Sequence, residues 1–183
     1  MFTRSLFSLA AAAMLAAPMS AQTVMVGGET MYPSKDIVSN AVNSKDHTTL
    51  VAAVKAAGLV ETLQGKGPFT VFAPINGAFA VLPAGTVESL LKPESKAALT
   101  GVLTYHVLAG LYTARDIEKH IRKGNGSAIL TTVNGQKLTA MMNGPRNIVL
   151  KDAAGGIANI ATYDVMQSNG VIHVIDHVLL PKM

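Results

Sequence analysis

Two hydrophobic rhythms divide this chain. Up to about Lys123 most apolar residues recur three and four apart, the spacing of a helix face, and from Ser127 onward they follow strand spacing. In TTLVAAVKAA, Thr48 to Ala57, the residues Leu50, Val51, Val54 and Ala57 make one apolar face, and Gly58 ends the helix. Asp36 is placed to cap a preceding helix over IVSNAV. FTVFA, Phe69 to Ala73, interrupts the helices; it is β-branched and aromatic, hence a strand, and Pro74 stops it. Asn76 can cap a short helix GAFAVL that Pro83 and Gly85 end, and Thr86 begins the helical turn VESLLK. Pro93 suits the first turn of a helix reaching about Leu103. Tyr105 to Leu108 should extend as a strand, and Thr113 to Lys123 should form a helix with Arg115, Asp116, Glu118, Lys119 and Arg122 on its wet side.

In the back half, AILTTV and QKLTAMM flank Asn134-Gly135, a pair that accepts the positive φ angles of a tight hairpin. Strands over Asn147 to Lys151 and Ile157 to Asp164 follow, parted by Gly155-Gly156, and Asn169-Gly170 leads into NGVIHVIDHVLLP, which ends at Pro181. Helices in front and successive strands behind predict an α+β fold. Residues 22–35, with Gly27, Gly28 and Pro33, read as an extended or loose lead-in, and the domain proper spans 36–181.

The first 21 residues carry a secretory pattern: Arg4, the apolar run Leu6 to Ala17, Pro18, and a cut after Ala21. That run is too short to span a bilayer, so the expected product is secreted, to the periplasm or the exterior, with no integral span. The 183 residues contain no cysteine, which removes thiol catalysis and thiolate metal sites. The formal charge of +4 is spread singly along the chain without interleaved aromatics, which argues against nucleic acid as a partner.

Chemistry concentrates in the closing segment. His173 and His177 would share a helix face and could grip zinc, but the segment reads as a strand, where residues four apart are separated by about 13 Å. Strand alternation sets Asp176 on the face of Ile172, Val174, Val178 and Leu180, where a carboxylate needs donors. KGNGS and AAGG lack the spacing of a phosphate-cradling loop and read as turns, and Met141-Met142 point to opposite faces of a strand. Neither a cofactor nor a metal is expected.

Three stretches carry a resemblance. FTVFAPINGAF, Phe69 to Phe79, Tyr105-His106, and NGVIHVIDHVLLP resemble, in order, the first, central and closing boxes of the fasciclin domain family. The likeness covers about Asp36 to Pro181, with Ile75 standing where the first box often has threonine. The resemblance implies a wedge-shaped β-sandwich with helices packed along one side, roles in cell adhesion, and no enzymatic activity. It sets Thr70, His106 and Asp176 in the three boxes, where they could form a buried structural polar cluster. A hydrolase using the same three residues is the remote alternative, since no GxSxG elbow is present. Tyr105 and His106 also mark a possible interaction segment, against the plainer reading of a core pair. The expected function is a secreted, non-enzymatic module that binds an envelope or extracellular protein or polymer, in an undetermined oligomeric state. The alternative is a periplasmic binder of a small apolar ligand, held between helices and sheet.

Overall fold

A computed structural model describes residues 23–182. The expected leader, residues 1–21, lies outside the described residues. The lead-in is more ordered than its composition suggests. β1 (Val24–Val26) and β2 (Glu29–Met31) pair antiparallel about Gly27 and Gly28, both at positive φ, and bury Val26 and Met31. Strands of three residues are too short to show a rhythm, so only the glycine pair signalled the turn.

The helical half follows its local signals closely. Asp36 caps α1 (Ile37–Ala41) by accepting from the Ser39 amide, and α2 (Thr48–Ala57) ends at Gly58 with φ of 74°. α3 (Val60–Leu63) is a single turn beyond it. β3 (Phe69–Pro74) leads into α4 (Asn76–Ala80) and α5 (Thr86–Leu90). A 3-10 turn at Pro93–Ser95 precedes α6 (Lys96–Tyr105), so Tyr105 closes a helix and only Val107–Ala109 extend, as β4. Thr113 and Asp116 cap α7 (Ala114–Lys123) reciprocally.

The remaining strands are β5 (Ser127–Thr131), β6 (Lys137–Asn143), β7 (Asn147–Lys151), β8 (Ile157–Gln167) and β9 (Gly170–Ile175). One seven-stranded sheet results, in the order β4-β3-β9-β8-β7-β6-β5, antiparallel except where β3 runs parallel to β9. β8 pairs with β7 over its first residues and with β9 over the rest. Within the pairing with β9 the register breaks twice, between Ile160 and Thr162 and between Thr162 and Val165, and Asp164 takes a φ of 53°. Such bulges bend a strand. β8 thus belongs to both leaves of a folded sheet.

Alternation along β3 and β9 then sorts two cores. Val71, Ala73, Ile172 and Val174 face α1, α2, α3 and α6, joined by Leu50, Val54 and Leu103. Phe72 and Ile175 face the other leaf, against Leu130, Leu138, Leu150, Ala158 and Ile160, with Ile117 and Ile121 of α7 closing the end. The layers are therefore helices, first leaf, second leaf, a β-sandwich flanked by helices on one side.

Candidate functional site

The three boxes do converge, though not through the expected atoms. β3 lies beside β9 from Phe69 opposite Gly170 to Pro74 opposite Ile175. A side chain at Gly170 would collide with the Phe69 backbone, so close approach of the two strands requires glycine there. Phe72 stacks on His173 with ring centroids 5.7 Å apart.

His106 sits just past the end of α6 and is buried. Its Nδ1 lies 2.8 Å from the Val102 carbonyl, while Nε2 accepts from the Leu179 amide at 2.9 Å. Nε2 therefore carries the lone pair and Nδ1 the proton. Burial pulls the pKa down to about 4, against smaller upward pulls from the Val102 carbonyl and Asp152, so the ring is neutral at pH 7. Tyr105 is equally enclosed: its hydroxyl donates to the Lys137 carbonyl at 2.9 Å and accepts from the Ala153 amide at 3.0 Å. The expected interaction segment is thus turned inward, with its polar atoms spent on the backbone.

Thr70 and Asp176 are engaged elsewhere. Thr70 Oγ1 donates to the Gly110 carbonyl at 2.7 Å and accepts from the Tyr112 amide at 2.8 Å. β9 ends at Ile175, so strand alternation does not reach Asp176, which lies half-buried at the turn that follows. Its carboxylate accepts from the Asn159 amide and side chain, both at 2.7 Å, and meets His177 Nδ1 at 2.9 Å. Partial burial pushes its pKa up, but the bonds from Asn159 and His177 outweigh that and hold it below the usual carboxylate range. No hydrogen bond joins Thr70, His106 and Asp176, so the expected polar cluster is replaced by three separate ties. The triad geometry needed for hydrolysis is not assembled from them.

His173 and His177 part company because β9 ends at Ile175, between them. His173 is fully buried, with Nδ1 accepting from the Asp164 amide at 3.3 Å and Nε2 2.9 Å from the Tyr112 carbonyl, whereas His177 is exposed. Burial lowers the His173 pKa. Among the described residues no cluster of three His, Cys, Asp or Glu could hold a metal ion.

The carboxylate that ties down the closing segment is Asp152, which sequence reading passed over. It is buried; Oδ1 accepts from the Ala154 and Gly156 amides, and Oδ2 accepts from the Leu180 amide at 2.9 Å. The signal was the turn sequence Asp-Ala-Ala-Gly-Gly, in which aspartate bonds its own turn. Asn169 was recognised only as a turn residue, yet its buried side chain accepts from the Ile37 amide and donates to the Leu63 and Gly65 carbonyls. Asn76 does not cap its own helix. It accepts from the Thr49 amide at 3.0 Å and so caps α2 from outside.

Two open features remain. A surface groove runs along the edge strands β4 and β5, bordered by Leu108, Tyr112, His120 and Leu130, with exposed Ile129 and Val133 on its flank. Under the helices, a cavity of about 70 Å³ lies between α1, α2, α3 and α6 and the first leaf.

Residues 45–181 match the fasciclin domain, and this chain belongs to that family. It is 49% identical over 147 residues to Protein sll1483 of Synechocystis, covering 80% of this chain and 74% of that protein. It is 33% identical over 154 residues to the immunogenic protein MPB70 of Mycobacterium bovis, covering 81% and 70%. The FAS1 domain pair of the insect cell adhesion molecule fasciclin I superposes with a TM-score of 0.69 at 21% identity, over 80% of this chain and 51% of that one. The order of layers is thus that of a fasciclin domain.

Proposed function

We propose that this protein is a secreted, non-enzymatic binding module that makes adhesion-type contacts with an envelope or extracellular protein or polymer. The observation that carries the reading is the groove at the open edge of the sandwich. Ile129 and Val133 are 64% and 47% exposed there, beside Tyr112 and His120. Exposed apolar side chains there offer a partner burial, beside an edge where the Val133 amide already donates to the Val107 carbonyl of β4 at 2.8 Å. Membership of the fasciclin family supports it, as does likeness in fold to a domain pair from a cell adhesion molecule. Among the described residues no helix is long and apolar enough to cross a membrane. The leader pattern at residues 1–21 supports export, to the periplasm or beyond.

Capture from envelope extract tests this. The purified protein should retain a partner that Ile129→Glu, Val133→Glu releases at unchanged thermal stability. Equal capture by the variant would move the surface elsewhere. Hydrolysis of generic esters that His106→Ala abolishes in a folded protein would overturn the non-enzymatic reading.

A further inference from the structure

We infer that the cavity beneath the helices is a binding site for the tail of a single-chain amphiphile with an anionic head. This goes beyond the adhesion-type reading: the cavity shares only Val133 with the groove along β4 and β5. The cavity wall is built from Ile37, Leu50, Val54, Leu59, Leu103 and Ile172, among other apolar side chains. Its polar contributors are Lys55, Thr62, Thr104 and His106. His106 has both ring nitrogens engaged and is neutral, so it offers an incoming group neither charge nor a free donor. Thr104 is likewise bonded to the Thr100 carbonyl at 2.7 Å. Water gains little in such a space, because a buried water needs polar partners, and apolar cavities stay dry and accept hydrocarbon.

Lys55 lines the cavity yet is exposed, and it joins none of the ion pairs formed among the described residues. An apolar chamber with one exposed lysine in its wall, outside any ion pair, is complementary to a hydrocarbon tail ending in a carboxylate or comparable anion. At about 70 Å³ the chamber is roughly half the size of one known to admit benzene. It therefore takes the last few carbons of an unbranched chain as it stands, and a ten-carbon chain sets its carboxylate beside Lys55 only when the walls part. Its walls include α1 and α3, of 5 and 4 residues, which are single turns held by their packing rather than by helix length.

The test is calorimetric titration of the purified protein with decanoate, decanol and decyltrimethylammonium at low salt. Decanoate should bind saturably and about fivefold more tightly than decanol, the scale of one exposed charge pair. Lys55→Met, which keeps the apolar stem on the wall and removes only the charge, should bring decanoate down to the level of decanol. Val54→Trp, which fills the chamber, should abolish binding of both; if that variant does not fold, Val51→Phe serves instead, from a half-buried position on the same wall. No saturable binding of decanoate, binding that survives the filled chamber, or decyltrimethylammonium binding as well as decanoate would each overturn the inference. No macromolecular partner is present in the assay, so its failure leaves the adhesion-type reading standing.

Discussion

The two cores of this domain share a leaf of sheet but are built to different standards. Between the leaves, Leu138, Ala140, Leu150, Ala158 and Ile175 are fully enclosed, and the polar atoms there are matched: Tyr105 has two backbone partners and His173 has one on each nitrogen. Under the helices lies the cavity, and nearby His47 is buried with only Nδ1 bonded, to Ser44 Oγ at 2.8 Å. Its Nε2 finds no partner of proper geometry among the described residues, although the Ala73 backbone lies on that side. The sandwich core is thus the fully enclosed one, and the helical core retains a cavity.

The sharpest way to break this contrast is Tyr105→Ala. It should cost about 3–5 kcal/mol by urea unfolding, through lost packing and two stranded backbone groups. An unfolding midpoint near wild type would show that the sandwich core is not the stiff one. Acid is the next lever. An unfolded histidine takes a proton near pH 6.5, but folded His106 does so only at about 4. The unfolded chain binds more protons across that window, so stability should fall as pH drops from 6.5 to 4, by about 3 kcal/mol. Burial shifts His47 and His173 in the same direction. His106→Gln should flatten the slope, and an unchanged slope would assign it to the other two rings.

Enlarging side chains compares the cores directly. Ala140→Leu, in the fully buried centre of β6, should cost about 1–3 kcal/mol, while Val51→Leu on the cavity wall should stay within about 0.5 kcal/mol. Equal penalties would dissolve the distinction. A smaller effect separates two carboxylates. Asp152→Ala strands three amides, one of them on the closing segment, and should cost about 1–3 kcal/mol. Asp176→Ala, at a half-exposed turn where water can replace the carboxylate, should cost about 1 kcal/mol or less, and a reversed order would restore Asp176 as the tie.

What the sequence disclosed divides by distance along the chain. The Asp36 cap, the Gly58 stop and the Asn134-Gly135 hairpin are local, and each depends on residues within a few positions. The family boxes were legible as words, and they located the meeting of β3 with β9. Which atoms bridge them was not, because His106 to Leu179 and Asn169 to Ile37 span long stretches of chain that only the fold brings together. Asp176 shows the limit of periodicity: alternation extended as far as Leu180 sets its carboxylate in the interior, whereas β9 ends at Ile175 and the residue is half-buried at a turn.

The placement of β9 has a consequence in time. It fills the slot between β3 and β8, so the leaf that carries both cores is incomplete until nearly the last residues of the chain are available. Its pairing with β3 closes a loop of about a hundred residues, the kind of distant contact that slows folding. During synthesis, every shorter chain holds two unmatched strand borders facing an empty lane. A product ending before Gly170 should therefore be caught by chaperones and proteases rather than settle into a smaller domain.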